Sequence, residues 1–371
     1  MLRRAAEKVC RIFHLKDNGS RKNFACLLIC SWMAAAVLVL TACRRVPAFE
    51  MDLLYVGQGD GVFITSHGRN FLFDGGSSTK EDLAKYTLIP FLHSKGRCRL
   101  DGIILTHDDG DHCSGILELL EAAAEGDPQI AVSVIYLPDI AEEAKGEHYR
   151  RIEELSAQVG IPVQNICRGM RIRSGNLTLD CLHPAMGASY EDANEYSTTL
   201  LLRYAKPQLS VGDFSSARNY VSAGNTALEQ GDSAQGLSGS PNSFSALLTG
   251  DLEGQGEADL LQYLSESSLM NGRELQLKID VLKVAHHGSK NATSEEFLQV
   301  VHPDMAMISA GINNMYKHPS EELLNRLAVT IPLSSVYRTD QQGEISILYN
   351  KKGGRYQVKT FLGDRAEALN H

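Results

Sequence analysis

The sequence predicts an α/β domain in which helices cover β-sheets. Short apolar runs of strand length alternate with segments of helical periodicity along most of the chain. The alternation occurs in two runs, and a long stretch poor in apolar residues interrupts only the second. The 371 residues, of which 43% are hydrophobic, are enough for one large domain or two small ones with a buried core.

The first run begins with three short strands and tight glycine turns. These lie in MDLLYVGQGDGVFITSHGRNFLFDGG, where the third strand reaches Asp74. The elements predicted after it are a helix over 80–95, a strand over Gly102–Thr106, a helix from Ser114 to Glu125, a strand in IAVSVIYLP and a charged helix over 140–159.

The second run is divided by a polar insertion. Strands are predicted near 161–166, 177–182 and 200–205. Residues 208–243 are rich in Ser, Gly, Asn and Ala, which predicts an exposed insertion that is weakly ordered or disordered. The elements predicted after it are the strand SALLTGD, a helix over 255–266, the strand DVLKVAHHGS, a helix from Ser294 to Val301, the strand MAMISAG, a helix over Ser320–Leu327, and the strands SVYRTD and EISILYN.

Residues 1–45 predict a segment that targets the chain to a membrane. The uncharged run Phe24–Ala42 has 19 residues, just enough for a helix to span the hydrocarbon core. The basic residues before it predict that the body of the protein, 46–371, lies on the extracytoplasmic side. Leu40–Cys43 resembles a bacterial lipoprotein signal that ends in a lipidated cysteine. An uncleaved anchor helix and a buried core helix are the alternatives.

The charge is unevenly distributed. The whole chain carries −9, but residues 46–371 contain 27 Lys/Arg and 43 Asp/Glu, a net charge of −16. Such a domain does not attract polyanions through its overall field, so a phosphate-containing substrate would require bound cations and a local basic patch. The candidates for that patch are Lys283, Lys290, Lys317 and Arg338. The four cysteines after residue 45 lack paired C-x-x-C spacing, which argues against a structural zinc site.

Five ligand-type side chains fall within the six residues HDDGDH, directly after an apolar strand. Imidazoles and carboxylates are the ligands that suit zinc, manganese and iron. Alternate residues of an extended turn point the same way, so His107, Asp109 and Asp111 are predicted to share a direction, with His112 joining them as the helix begins. The sequence predicts a site for two cations here. An acidic turn that caps the following helix is the alternative.

These residues resemble the signature of the metallo-β-lactamase superfamily, H-x-H-x-D-H after a strand. Asp109 stands where most members carry a histidine, and this variant is similar to the extracellular hydrolase domains of ComEC-type competence proteins. YVGQGDGVFI, FLFDGG, LLTGD, VLKVAHHGSK, SAGINNMYKHPS and YRTDQQGEISI occur in the same order as in those domains. The resemblance covers about 49–350 apart from the insertion, and it implies a four-layer αββα sandwich.

The resemblance also implies ligand roles. His107 and Asp109 would hold one divalent ion, and Asp111 and His112 would hold a second. Asp251, at the end of LLTGD, would bridge the two ions; an N-cap of the following helix is the alternative reading of this residue.

One carboxylate and four histidines complete the candidates. Asp74 matches the residue that braces the metal loop. His183, in CLHPA, matches the remaining histidine ligand, and a plain turn residue before proline is its alternative. His286 and His287 follow a predicted strand, where neighbouring side chains point to opposite faces, and we favour His286 as the ligand. His318 lies in a loop expected to face the substrate, where it would contact a phosphate or donate a proton; a polar loop before a helix cap is the alternative.

The implied reaction is hydrolysis by water that two divalent ions activate, with Asp74, Asp111 and His318 as candidate catalytic residues. The oxygen-rich ligand set favours Mn²⁺, with Zn²⁺ and Mg²⁺ as alternatives, and it suits phosphate esters. The expected function is an extracytoplasmic, membrane-anchored phosphodiesterase or nuclease that acts on DNA or smaller esters. The alternatives are a lactamase, lactonase or thioesterase of the same superfamily, and a non-catalytic metal-containing protein that captures DNA.

Overall fold

The structure is a computed structural model that describes residues 31–32, 48–205, 227–230, 243–269, 277–350 and 355–363. Met1–Val46 and Pro47–His371 are separate units, and the second contains every element discussed below. The predicted membrane-targeting run Phe24–Ala42 lies outside the described residues apart from Ser31 and Trp32. Within the described ranges, no helix is long and apolar enough to cross a membrane.

The strands of the second unit form two large sheets and one small pair. In chain order they are β1 Phe49–Leu53, β2 Val62–Ser66, β3 Arg69–Phe73, β4 Arg99–Leu100, β5 Gly102–Ile104, β6 Ala131–Val132, β7 Ile135–Pro138, β8 Val163–Ile166, β9 Met170–Ser174, β10 Leu177–His183, β11 Thr199–Ala205, β12 Ala227–Gln230, β13 Ser243–Leu248, β14 Ile279–Lys283, β15 Pro303–Ile308, β16 Val336–Arg338, β17 Ile345–Asn350 and β18 Arg355–Thr360.

The α-helices lie mostly between parallel strands. They are α1 Ile89–Ser94, which directly follows a π-helical turn over Ala84–Leu88, α2 Gly110–Ala124, α3 Glu147–Val159, α4 Gly254–Leu269, α5 Glu295–Val301, α6 Glu321–Thr330 and α7 Thr339–Gln342. Single 3₁₀ turns occur at Glu142–Ala144, Asn194–Tyr196, His286–Gly288 and Leu333–Ser335.

Both large sheets change from antiparallel to parallel pairing half-way across. The first has the order β18-β17-β1-β2-β3-β5-β7-β8 and is parallel from β3 onward. The second has the order β12-β9-β10-β11-β13-β14-β15-β16 and is parallel from β13 onward. Parallel neighbours need long crossover connections, which α1 to α6 supply. The carboxyl ends of these parallel strands therefore share one edge of each sheet.

Three hydrophobic clusters account for the layers. The largest lies between the two sheets and takes side chains from both; Phe49 of β1 stacks on Tyr204 of β11 with 4.8 Å between ring centroids. The second packs α1, α2 and α3 on the first sheet, and the third packs α4, α5 and α6 on the other. The resulting order is helices, sheet, sheet, helices, which is the predicted α/β arrangement.

Two segments near the candidate ligands differ from the predicted elements. Helix α2 begins at Gly110 instead of Ser114, because Asp109 takes the N-cap position and its carbonyl accepts hydrogen bonds from the following turn. Strand β14 ends at Lys283, so the residues after it, including His286 and His287, do not continue in the extended form.

The predicted insertion 208–243 lies outside the described residues except for 227–230 and Ser243. Ala227–Gln230 form β12, which pairs antiparallel with β9. This part of the predicted insertion is therefore an edge strand of the second sheet.

Candidate metal centre

The loop after β5 carries four candidate ligands into the start of α2. The carbonyl of Asp109 accepts hydrogen bonds from the N–H groups of His112 and Cys113, both at 3.0 Å. Asp111 and His112 therefore project from the first helical turn, where the positive end of the helix dipole favours a carboxylate. His107 precedes the helix, and its side chain, like that of His112, is buried.

Asp74 orients this loop from beneath. It follows β3, has a positive φ of 57°, and is fully buried. Its Oδ1 accepts a hydrogen bond from the N–H of Thr106 at 2.9 Å, and its Oδ2 accepts from Thr106 Oγ1 at 2.8 Å. Oδ2 also accepts from His112 Nδ1 at 2.9 Å. A carboxylate only accepts hydrogen bonds, so a proton lies on Nδ1 and the Nε2 atom of His112 faces away from Asp74.

Thr106 connects Asp74 to the first histidine. Because its hydroxyl donates to Asp74, its oxygen accepts from His107 Nδ1 at 3.0 Å. Ser197 Oγ lies 3.4 Å from the same nitrogen. The Nε2 atom of His107 is buried and makes no hydrogen bond, so it is left to face other ligand atoms.

Asp251 enters from the second sheet, two residues after Thr249 at the end of β13. Gly250 has a φ of +54° and packs so closely on Thr106 that a Cβ there would lie 2.7 Å from the threonine Cβ. This contact allows the two sheet ends to meet. Asp251 Oδ1 lies 3.2 Å from His112 Nε2, and its Oδ2 lies 3.3 Å from His287 Nε2.

His287 is oriented by a backbone atom. Its Nδ1 lies 3.1 Å from the carbonyl oxygen of Ser309, which can only accept, so the ring donates there. Its Nε2 lies 3.2 Å from Asp111 Oδ2, and the side chain is buried. Imidazole and carboxylate groups from both sheets thus approach the same place.

These side chains form two overlapping groups whose ligand atoms lie within 4.8 Å of one another. One is His107, His112 and Asp251, and the other is Asp111, His112 and His287. We call these five residues the ligand cluster. Among its atoms, Nε2 of His107, Nε2 of His112 and Oδ1 of Asp251 are buried without a hydrogen-bond partner. Buried polar atoms that lack partners are costly, and N and O donors of this kind suit divalent cations.

The electrostatics of the ligand cluster are those of carboxylates facing imidazoles. Burial raises the pKa of Asp251, but positive charge on His287 and His112 outweighs it and holds that pKa well below its usual range. Burial also raises the pKa of Asp111, but the hydrogen bond from His287 outweighs burial and lowers that pKa to about 2. Burial lowers the pKa of His112, and Asp251 and Asp74 raise it well above normal. The carboxylates therefore stay ionised, and either protons or metal ions can balance them.

Comparison with known proteins finds one matching family model and several similar curated proteins. Residues 54–151 match the family model described as the metallo-beta-lactamase superfamily. The chain is 29% identical over 327 residues to ComE operon protein 3 of Bacillus subtilis. This alignment covers 83% of this chain and 34% of the relative. It is 27% identical over 311 residues to recombination protein 2 of Haemophilus influenzae, covering 84% of this chain and 30% of the relative.

Over residues 54–151 the chain is similar to the metallo-beta-lactamase superfamily. The predicted resemblance to ComEC-type competence proteins is confirmed by the same matches. The chain spans about a third of the length of these curated relatives. Among solved structures, the metallo-β-lactamase fold protein YhfI of Bacillus subtilis aligns with 78% of this chain and 95% of its own, at a TM-score of 0.41 and 13% identity.

His286, the ligand favoured by the sequence, lies beside the ligand cluster and is not part of it. Its Nδ1 lies 2.8 Å from Glu253 Oε2, its Nε2 is 3.8 Å from Asp251 Oδ2, and its side chain is 25% exposed. His287 is the histidine that joins the ligand cluster. The alternation argument fails because both residues lie in a 3₁₀ turn with positive φ, not in a strand.

Asp109 and His183 are not brought into the groups of ligand atoms found among the described residues. The Asp109 side chain is 51% exposed, and its Oδ2 lies 3.5 Å from His107 Nε2. His183 donates from Nε2 to the carbonyl of Glu195 at 2.7 Å, and its ring lies 5.4 Å from that of Tyr190. Burial lowers the pKa of His183 to about 4. The structure favours a structural role for His183 over the predicted ligand role.

His318 lies at the rim, as the sequence predicts for a substrate-facing loop. Its ring centroid is 5.5 Å from that of His286, and Asn314 hydrogen-bonds to both its N–H and its carbonyl. Burial and the positive charges of His286 and His287 lower the pKa of His318 to about 4. A histidine that is neutral at pH 7 is a weak acid, so the predicted role as proton donor to a leaving group fits His318 poorly.

The predicted basic patch is also dispersed. Lys283 is 1% exposed and forms an ion pair with Asp60, while Arg338 pairs with Asp340 at 2.6 Å. Lys290 and Lys317 are exposed. The charge of Lys283 predicts a solvent-exposed side chain, yet this residue is buried at the end of β14, directly after Val281 and Leu282.

Sequence reasoning missed two residues beside the ligand cluster. Ser197 accepts a hydrogen bond from the N–H of Asp251 at 3.1 Å and so links that residue to His107. Asp60 is fully buried next to Asp251 and His287. The motif GQGD contains Asp60, but only the contacts of the β1–β2 loop with Lys283 and Ser309 of the second sheet show that this loop and the Asp60 carboxylate are buried.

Proposed function

We propose that the protein is a metal-dependent phosphodiesterase that acts on the extracytoplasmic side of a membrane, with DNA as a candidate substrate. The observation that carries this proposal is the convergence of three imidazole Nε2 atoms and two ionised carboxylates at one edge of the two sheets. Such a set matches the ligands of a two-metal hydrolase, and no serine or cysteine nucleophile is needed.

The residues that would hold metal ions are the five of the ligand cluster. His107, His112 and Asp251 would hold one ion, and Asp111, His112 or His287 would contribute to a second, with Asp251 close to both sets. The divalent ions, when bound, supply the Lewis acidity that activates water and polarises a phosphoryl oxygen. The two carboxylates favour Mn²⁺, while Zn²⁺ fits the imidazoles and Mg²⁺ is the third candidate.

Other residues orient the histidine ligands or are placed to donate a proton. Asp74 and the Ser309 carbonyl hold the Nδ1 atoms of His112 and His287, which fixes their rings before a ligand arrives. His286 stands at the rim beside Asp251, and although burial lowers its pKa, Glu253 and Asp251 raise it overall. A protonated His286 is better suited than neutral His318 to contact a phosphate or to protonate a leaving oxygen.

The names of the relatives support DNA as a substrate. They include a recombination protein and a competence protein, the latter from Neisseria gonorrhoeae at 26% identity. The acidity of residues 46–371 favours small phosphodiesters or short single strands over long duplexes. Location outside the cytoplasm rests on the basic residues before Phe24–Ala42 and stays a proposal.

The test is a metal-screened activity panel on the full chain in detergent. Protein stripped with a chelator is reloaded with Mn²⁺, Zn²⁺ or Mg²⁺ and assayed on bis-p-nitrophenyl phosphate, single- and double-stranded DNA, RNA and a chromogenic lactam. We expect metal-dependent cleavage of phosphodiesters and none of the lactam. Asp251→Asn should lower kcat/KM by about 100-fold or more, since it removes a shared charged ligand worth several kcal/mol.

The matched control is Asp304→Asn, which changes an exposed aspartate of β15 away from the ligand cluster. It should retain full activity. Turnover of the lactam alone would replace the phosphodiesterase by another hydrolase of the superfamily. Stoichiometric metal uptake with no turnover of any substrate would favour a non-catalytic role, and a chain that takes up no divalent ion would overturn the proposal.

A further inference from the structure

A buried lysine lies directly behind the ligand cluster. Lys283 ends β14, and its Nζ contacts Asp60 Oδ2 in an ion pair whose partners are 1% and 0% exposed. Nζ also donates to the carbonyl of Gly250 at 3.0 Å and lies 4.0 Å from Asp251 Oδ1. A buried ammonium group is costly unless it is paired and hydrogen-bonded, so this position is specifically built.

Its partner Asp60 lies close enough to the ligand cluster to act as a metal ligand. The ligand atoms of Asp60, Asp251 and His287 lie within 4.8 Å of one another, and so do those of Asp60, Asp74 and His112. Asp60 Oδ1 is buried without a hydrogen-bond partner and lies 4.0 Å from His287 Nδ1. A carboxylate so placed would attract a divalent cation if nothing else neutralised it.

We propose that Lys283 is a positioning residue whose ammonium group serves as a built-in cation for Asp60 and keeps Asp60 out of the metal-ligand set. This inference rests on the proposed function. The ammonium group takes the place beside Asp60 that a further divalent ion would otherwise occupy. It thereby limits the centre to two ions, which the five residues of the ligand cluster hold.

The contacts of Lys283 join it to the segment that carries Asp251, which an ion pair that only stabilises the fold would not need. Lys283 holds both Asp60 and the Gly250 carbonyl, and the next residue along from Gly250 is Asp251. Its own carbonyl accepts a hydrogen bond from Thr249 Oγ1 at 2.6 Å. Lys283 is therefore joined to the segment that carries Asp251 both by its ammonium group and by its backbone carbonyl, and a change in the charge of the ammonium acts on the ions that Asp251 binds.

The experiment counts metal ions. Full-length wild type, Lys283→Met and the double variant Lys283→Met/Asp60→Asn are stripped, dialysed against a Mn²⁺ series and analysed for bound metal per chain. We expect two ions in the wild type. Lys283→Met should bind a third, or bind its ions about tenfold more tightly, because Asp60 is released. The double variant, which lacks both charges, should return to two ions with wild-type affinity.

Lys290→Met is the matched control, since it removes an exposed lysine seven residues further on, and it should leave the metal count unchanged. Because Lys283→Met can unfold the chain, Asp60→Asn alone is a second test. There the unpaired ammonium beside Asp251 should weaken Mn²⁺ binding about tenfold.

The outcomes separate this inference from the proposed function. If the wild type binds two ions and all Lys283 and Asp60 variants that remain folded bind two with unchanged affinity, the pair is only structural and the inference is wrong. A wild type that binds no divalent ion overturns the proposed function, and the role of Lys283 with it. A loss of thermal stability without a change in metal binding also counts against the inference.

Discussion

Three histidines of the ligand cluster are held in place by a contact at Nδ1, each with a different acceptor. Asp74 serves His112, the Ser309 carbonyl serves His287, and the Thr106 hydroxyl serves His107. Each contact leaves Nε2 directed at carboxylates from the other side of the site. The sequence predicted all three histidines as candidate ligands and Asp74 as a brace. It did not predict the other two acceptors, Thr106 and the Ser309 carbonyl, and the second of these is a backbone oxygen 22 residues further along the chain than His287.

His183 provides a test at the residue scale, because the sequence predicts a ligand and the structure shows a buried ring bonded to Glu195. We expect His183→Gln, whose amide can still donate to that carbonyl, to leave Mn²⁺ affinity unchanged in equilibrium dialysis. A fall in affinity of tenfold or more would restore the predicted ligand role.

The same variant has a distinct pH signature. The pKa of His183 is about 4 in the folded chain and about 6.5 when exposed, so between these values only the unfolded chain takes up the proton. The stability that His183 contributes is thus present above pH 6.5 and lost as the pH falls towards 4. In metal-free denaturant titrations, wild type should lose on the order of 3 kcal/mol more than His183→Gln between pH 7 and pH 4. Parallel curves would contradict this.

At the scale of elements, the site is built where parallel strands end. Asp74 follows β3, His107 follows β5, and Asp251 follows β13, as the alternating pattern predicts. The pattern did not predict the geometry of the turns. In the 3₁₀ turn after β14, the N–H of His286 donates to the Gly250 carbonyl at 3.1 Å, and Gly250 itself packs on Thr106 from the first sheet. Local sequence periodicity cannot predict contacts between segments so far apart in the chain.

Gly76 tests this dependence on close packing between elements. A Cβ at this position would lie 2.5 Å from backbone atoms of both Asp111 and His112, so a methyl group must displace the first turn of α2. We expect Gly76→Ala to cost about 1–3 kcal/mol of stability and to weaken metal binding. Chemical denaturation and equilibrium dialysis would measure the two effects.

The matched control is Gly110→Ala in the same helical turn. Its Cβ would meet only the His148 ring, at 3.6 Å, and alanine suits a helix better than glycine does. Metal binding should therefore be retained. If Gly76→Ala binds Mn²⁺ as tightly as Gly110→Ala, the position of the α2 N-terminus does not control the ligand cluster.

At the scale of the whole molecule, two half-parallel sheets supply the ligands and a strongly acidic chain surrounds them. Residues 46–371 carry a net charge of −16, and the predicted basic patch loses Lys283 to the interior and Arg338 to Asp340. On the proposed function, attraction of a phosphodiester would therefore fall to the metal ions and to a few groups beside the ligand cluster, such as His286. Composition alone predicted this, while the burial of Lys283 strengthens it.

The consequence is an unusual response to salt. A protein that binds DNA through six to ten phosphate contacts loses about 10³- to 10⁵-fold in affinity between 50 and 200 mM salt, because counterions are released on binding. Here few such contacts exist among the described residues, and added salt also screens the repulsion between the acidic chain and DNA. We expect kcat/KM for a single-stranded oligonucleotide, divided by that for bis-p-nitrophenyl phosphate, to fall less than about tenfold over this range. The small ester corrects for effects of salt on the metal ions, so a loss near 10³ in the ratio would mean that DNA is held by a basic surface and not by the centre.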